Sequence, residues 1–243
     1  MAFHSLCEII DLLRKRDLVA EISVDVNTAL EVSEIADRFA ADKQNSKALL
    51  FSQNGTAFPL LMNLFASEKI TDELLNLTGP EGYFSRVQNL LSMMDSKPRL
   101  SRKSMKSLLS LRKSSPKKMH RKGACMAVVQ KNPDLNLLPV IQCWPYDGGR
   151  FITLPLVHTI DPETGQQNTG MYRLQVFDGQ TTGMHWHRHK GGAAHFEAWK
   201  KIGKRMPVTV TLGGDPVLTY TATAPLPEGI SENMLAGFLK NDR

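Results

Sequence analysis

Asp178-Gly179 lies between two runs of alternating apolar and polar residues, and no other feature of the chain constrains the fold as strongly. Asp-Gly in that setting predicts a two-residue turn joining two antiparallel strands. With Asp178 and Gly179 as the central residues, Phe177 faces Gln180, Tyr172 faces His185, Gly170 faces His187 and Asn168 faces His189. Directly opposed residues share a face, with Cβ atoms about 5 Å apart. The ribbon would then set an amide oxygen beside an imidazole, a pair able to hold one cation.

Oxygen donors with a single imidazole suit Mn2+ or Mg2+ better than a soft, thiolate-bound metal. Glu232 is the candidate third ligand, because Ser231-Glu232 opens an expected helix from Asn233 to Leu239. A carboxylate in that position also serves the helix dipole without any ligand. His185, His187 and His189 alternate as well, so a three-His centre of the cupin type is the rival reading. That pattern calls for a Glu shortly after the His pair, and the next one is Glu197, beyond an expected helix start. Arg173 reads either as a solvated strand residue or as a bidentate clamp for a carboxylate.

Strands are expected around this ribbon, at Ala124 to Val129, Arg150 to Val157, Gly170 to Phe177, Thr182 to His189 and Met206 to Leu212. One helix interrupts them, from Ala193 to Ile202, with Phe196, Trp199 and Ile202 on one face and Gly203 as C-cap. Antiparallel strands with turn signals predict a barrel or a curled sheet.

The first half alternates helix and strand. Ser5 and Glu8 form a capping box, followed by Leu6, Ile9, Ile10 and Leu13 at helical spacing. Strands are expected at Leu18 to Val26, Ala48 to Phe51 and Phe58 to Leu64, with a turn at Asn54-Gly55. Helices are expected at Ser33 to Ala40, Thr71 to Leu77 and Pro80 to Met94. This order predicts a small α/β domain. A boundary is expected near residue 120, giving domains 1–120 and 121–243.

The net charge of +6 misleads if taken as a property of the whole chain. Eleven of the 30 basic residues lie between Lys97 and Lys122, and no acidic residue lies between Asp95 and Asp134. Removing those 11 leaves 19 basic residues against 24 acidic ones, so the rest of the chain is acidic. The basic run reads as a solvated connector or an anion-binding surface, and its confinement argues against nucleic acid as a partner. The three cysteines are widely spaced with no C-x-x-C, which excludes a zinc knuckle and a disulfide framework. Charges inside the first apolar run argue against a secretion signal, and a cytoplasmic setting is expected.

Asn168-Thr-Gly-Met-Tyr-Arg-Leu-Gln175 and Met184-His-Trp-His-Arg-His-Lys-Gly-Gly-Ala193 together resemble the flavin-binding core of the UbiD decarboxylases. Pro207-Val-Thr-Val-Thr-Leu-Gly-Gly-Asp-Pro216, Ser231-Glu-Asn-Met-Leu-Ala-Gly-Phe-Leu239 and, near the front, Glu34-Ile-Ala-Asp-Arg38 extend the resemblance over nearly the whole chain. The resemblance implies an α+β fold: a small amino-terminal α/β domain, then an incomplete split β-barrel of the flavin-reductase type. It implies prenylated FMN as cofactor and reversible decarboxylation of aromatic or α,β-unsaturated acids. By the same resemblance Asn168, His189 and Glu232 bind a Mn2+ that anchors the flavin phosphate. Met171, Tyr172, Arg173, His185, Trp186, His187, Lys190 and Gly191 line the cofactor, and Arg173 is also the catalytic arginine beside the substrate carboxylate. Because Arg173 and Asn168 alternate onto opposite faces of one ideal strand, a twist or bulge is expected at Gly170.

Members of the family continue well past Arg243, and that continuation carries the catalytic acid. The chain alone is therefore expected to be inactive, as a fragment or as half of a split enzyme with a complementing carboxy-terminal fragment. A non-catalytic remnant that holds a flavin or an anion is the alternative. A flavin prenyltransferase as cofactor supplier, homo-oligomeric full-length relatives and a place in quinone biosynthesis follow from the family alone.

Overall fold

The computed structural model describes residues 3, 5–42, 46–75, 82, 84, 85, 88, 115, 116, 123–224, 226 and 231–240. The expected helix from Pro80 to Met94 and the basic run fall, but for a few positions, outside them.

The first helix, α1 (Leu6–Lys15), starts where its capping box places it: Ser5 Oγ accepts from the Glu8 N–H at 3.3 Å. Its apolar stripe buries Ile9 and Leu13 completely, worth about 1.5–3 kcal/mol per side chain. Strand β1 (Val19–Ile22) runs parallel to β2 (Ala48–Phe51), and β3 (Leu60–Met62) closes the sheet antiparallel to β2. The apolar run of β2 is buried along its full length, because its two faces feed two cores. Ala48 joins Ile9, Leu13 and α3 (Glu68–Leu75), while Leu49 and Phe51 join Val32 and Ala36 of α2 (Glu31–Ala41).

Both cores also draw on the far end of the sequence. Ile141 enters the second, and Val217, Leu235, Ala236 and Leu239 enter the first. The latter come from α5 (Pro216–Thr221) and α6 (Glu232–Lys240). Glu232 is therefore positioned from the amino-terminal core, through a helix that packs on α5 and shares the core of α1 and α3.

Among the described residues the remaining strands form two further three-stranded antiparallel sheets and no closed barrel. One has the order β4 (Arg150–Ile152), β7 (Leu174–Val176), β8 (Thr182–Met184). The other has the order β6 (Gln167–Met171), β5 (Leu156–Ile160), β9 (Thr209–Thr211). Val157, Tyr172 and Leu174 form the core joining them, with Ile152, Met184 and Trp186 packed against it. Helix α4 (Gly191–Lys201) has Ile202 as its C-cap, and Gly203, the expected cap, follows it in the left-handed region at a φ of +68°.

Several expected elements are corrected. Ala124 to Val129 is not a strand: Ala124–Met126 is a 3-10 turn and Val128 and Val129 are exposed. The expected strand from Arg150 is two, parted before Pro155, whose nitrogen has no hydrogen to give a ladder. The expected strand from Gly170 is also two. Its ladder runs unbroken through Gly170, paired to Val157, and the chain changes sheets at Tyr172-Arg173 instead. The expected bulge at Gly170 is absent: β6 ends at Met171, and β7 begins in the other sheet at Leu174.

The hairpin register is corrected too. Leu174 faces Met184, Gln175 faces Gly183 and Val176 faces Thr182, with Phe177 N–H donating to Thr181 O at 3.0 Å. The loop thus has three residues, Asp178, Gly179 and Gln180. A two-residue type I′ turn needs positive φ at both centres, and neither Asp178 nor Gly179 is among the positive-φ residues. Asp178 Oδ1 instead accepts from the Gln180 and Thr181 N–H groups at 2.8 and 2.7 Å, which stabilises the wider loop and lowers the pKa of its carboxyl. A shift of one residue moves every later pair. His185 donates its N–H to Arg173 O at 3.0 Å, and Asn168 faces Thr159 of β5 rather than His189.

Candidate functional site

Asn168 sits near the start of β6, half-buried, on the face covered by α4. Gly170 and Tyr172 follow on that face by alternation. Tyr172 folds its ring back over Gly170 so closely that a Cβ there would overlap it. Its hydroxyl accepts from the Gly192 N–H at 3.2 Å and receives a longer contact, 3.5 Å, from Asn168 Nδ2. One buried phenol thus joins the ligand strand to the first turn of α4.

Gly191, His195 and Trp199, four residues apart, form the stripe by which α4 meets the sheet. Gly191 abuts the Asn168 side-chain oxygen with no room for a Cβ. His195 Nδ1 bonds Thr159 Oγ1 at 2.9 Å, and Trp199 Nε1 donates to Ile160 O at 2.7 Å. This corrects the expected helix face, since Phe196 and Ile202 are both exposed. Burial lowers the pKa of His195, and the carboxylates of Asp161 and Glu232 oppose that shift.

Glu232 opens α6 with Ser231 as its cap, Ser231 Oγ accepting from Met234 N–H at 3.2 Å. Glu232 Oε2 accepts from the Thr169 N–H at 3.0 Å across 63 residues of sequence. The structure therefore brings the carboxylate of Glu232, from the start of α6, to the backbone of Thr169, the residue after Asn168 on β6. His189 lies in the exposed turn leading to α4, two residues before the glycine that touches Asn168. Lys190 is exposed at the helix cap, and Met171 is half-buried opposite Leu156.

The three-His reading is not borne out. Strand β8 ends at Met184, so His185, His187 and His189 do not alternate on a strand, and among the described residues no three His, Cys, Asp or Glu side chains gather as a metal site. His187 and His189 are both exposed, while Trp186 packs against Tyr172 and Phe196.

Arg173 lies in the link between the two sheets and turns its guanidinium to Phe151 of β4. Its guanidinium carbon lies 4.1 Å from the Phe151 ring centroid, and His185 meets the same ring edge-on at 5.2 Å. Asp147 is 3.7 Å away. His195, Thr159, Phe151 and Asp147 escaped the sequence reading. For His195 the signal was its four-residue spacing from Gly191 and Trp199.

Residues 117–243 match the family model described as the 3-octaprenyl-4-hydroxybenzoate carboxy-lyase Rift-related domain, named UbiD. Residues 10–90 match the amino-terminal domain of the same carboxy-lyase. The chain belongs to the UbiD family. A relative from Archaeoglobus fulgidus is 43% identical over 245 residues, covering 100% of this chain and 50% of the relative. In fold, vanillic acid decarboxylase from Sedimentibacter hydroxybenzoicus matches with a TM-score of 0.79 at 21% identity, over 99% of this chain and 49% of that one. The UbiD-class enzyme HmfF from Pelotomaculum thermopropionicum, in complex with prFMN, matches at 0.75 and 20% identity, over 98% and 50% of the two chains. The chain thus spans about half the length of the curated relatives it matches.

Asn168 and Glu232 supply oxygen donors of the kind a hard divalent cation takes: an amide oxygen against Gly191 and a carboxylate on the next backbone N–H. His189 is exposed and is tied to them only through the chain, two residues before Gly191.

Proposed function

We propose that this chain forms the cofactor-holding part of a prenylated-FMN-dependent, non-oxidative decarboxylase of aromatic or α,β-unsaturated acids. The observation that carries the reading is the hydrogen bond from Thr169 N–H to Glu232, which sets Glu232 beside Asn168. In this reading Asn168, His189 and Glu232 hold a Mn2+ that binds the flavin phosphate. Met171, Tyr172, His185, Trp186, His187, Lys190 and Gly191 surround the cofactor. The prenylated flavin, when bound, supplies the electron sink for loss of CO2. Arg173 holds the substrate carboxylate through paired N–H donors. Tyr172 fixes Asn168 and the start of α4 relative to each other and excludes water between them.

The acid that returns a proton to the product lies, in this proposal, in the half of the relatives that the chain does not span. The 243-residue chain alone then decarboxylates nothing at a useful rate, and a complementing carboxy-terminal fragment restores activity. A flavin prenyltransferase supplies the cofactor. In this proposal full-length relatives are homo-oligomers, and the chain serves quinone biosynthesis in the cytoplasm. No helix among the described residues is long and apolar enough to cross a membrane.

Equilibrium dialysis with Mn2+ tests the reading. The parent chain is expected to bind one ion, and Asn168→Ala and Glu232→Ala each to lose it. Binding that survives both substitutions would overturn the assignment.

A further inference from the structure

Arg173, one residue before β7, and Gln175 within it both reach the loop from Trp144 to Gly149. Gln175 Nε2 donates to Gly148 O at 2.6 Å. A Cβ on Gly148 would stand 3.0 Å from that nitrogen, so a larger residue there would press the Gln175 amide back by a few tenths of an ångström. The loop then carries Asp147 over the strand, its N–H donating to Trp144 O at 3.1 Å. The Asp147 side chain is 17% exposed, and its Oδ2, 3.7 Å from Arg173 Nη2, is buried without a hydrogen-bond partner.

Beneath the guanidinium lies Phe151, itself buried and directly opposite Gln175. Arg173 is therefore bounded by an aromatic face 4.1 Å below and an anion at one corner. Among the described residues no hydrogen bond engages its N–H groups. A guanidinium has five such donors. Here they are oriented but unsaturated, which is the state a clamp needs before a carboxylate arrives. A buried carboxylate oxygen with no donor costs free energy unless a nearby cation offsets it.

We infer that Asp147 and Phe151 are the positioning residues of Arg173. The carboxylate holds the guanidinium flat on the ring by charge without occupying its donors, leaving them to an incoming carboxylate. This deepens, and rests on, the reading of Arg173 as the substrate clamp.

The test uses the whole chain, 15N-labelled at arginine, with benzoate as the carboxylate probe. The Arg173 Nε–Hε signal, assigned by its disappearance in Arg173→Lys, is expected upfield through the Phe151 ring current. Asp147→Asn should return it toward the free-arginine position and weaken benzoate binding about threefold. Asp147→Glu should restore both. Gln175→Leu, which leaves Asp147 in place but unties its loop, should shift the signal in the same direction, so the inference does not hang on one variant folding. A purely structural role for Asp147 would lower thermal stability without moving that resonance. If Arg173→Lys leaves benzoate binding unchanged, the clamp reading itself fails. If it abolishes binding, yet Asp147→Asn and Gln175→Leu leave the resonance where it was, Asp147 positions nothing and this inference alone is overturned.

Discussion

Thr169 donates its backbone N–H to Glu232 Oε2 at 3.0 Å, tying the free edge of β6 to the first turn of α6. Among the described residues β6 pairs only with β5, so this N–H faces outward without a strand partner. Glu232→Ala should therefore do two things. Exchange of the Thr169 amide hydrogen should accelerate, because the bond that protects it is gone. Mn2+ affinity should fall by more than about tenfold through loss of the anionic ligand. Hydrogen exchange and dialysis on the same sample check both, and an unchanged Thr169 exchange rate would show that the contact does not persist in solution.

Gly191→Ala separates stability from binding. The added Cβ would overlap the Asn168 side-chain oxygen, but that oxygen is the end of a side chain that can rotate away. The φ of Gly191 is not in the left-handed region, so the backbone accepts alanine. The melting temperature should change little, while Mn2+ binding is lost because Asn168 is turned out of place. A large drop in stability with metal binding intact would be the reverse of this expectation.

What could be read in the sequence was local. The capping box at Ser5 and Glu8, the apolar run of β2 and the helix opened by Ser231-Glu232 all announce themselves within a few residues, and all are present. The Asp178-Gly179 hairpin was legible as a hairpin but not in its register. The Asp178 side chain caps two N–H groups and enlarges the loop, an effect that alternation cannot reveal. The sheet change at Tyr172-Arg173 is equally silent, since apolar and polar residues alternate through it. His195 looks like a solvated helix residue until β5 brings Thr159 under it. Asp147 and Phe151 meet Arg173 only through tertiary contact.

Tyr172→Phe should destabilise the chain by about 1 kcal/mol, because the buried Gly192 N–H loses its acceptor. The ring would still cover Gly170, so the packing contribution is retained. Urea titration gives the difference as a shifted midpoint at constant slope. A neutral result would mean that water replaces the phenol at Gly192.

Lys240 Nζ and Asp215 Oδ2 form a 2.6 Å ion pair with side chains 19% and 5% exposed. Asp215 Oδ1 also caps α5 by accepting from the Val217 N–H at 2.9 Å, so one carboxylate fastens the end of α6 to the start of α5. Lys240→Met leaves that carboxylate buried without its cation and should cost about 3 kcal/mol. Asp215→Asn with Lys240→Met, removing both charges, should recover part of the loss. Denaturation of the single and double variants decides it; equal losses would mean the two residues act independently.

Acid should destabilise the fold first through two histidines, His158 and His195. Burial lowers the pKa of both His158 and His195, for His195 against the pull of Asp161 and Glu232. Both imidazoles are thus held neutral in the fold, His158 between Thr169 Oγ1 at 3.0 Å and Thr211 Oγ1 at 3.1 Å. In the unfolded chain a histidine takes up its proton near pH 6.5. Above that value both states are neutral and the histidines contribute no pH dependence. Below it the unfolded state binds more protons than the folded state, so stability falls as pH falls. Asp161, whose carboxyl pKa is lowered by the Thr164 and Glu163 N–H groups, acts in the same direction, but only near and below the ordinary carboxylate value of 3.8. Melting curves from about pH 8 to about pH 5 isolate the histidine window. The parent should lose stability across it, and the double variant His158→Gln, His195→Gln should show a flatter profile. If the two profiles run parallel, the buried imidazoles are not the groups that set the acid limit.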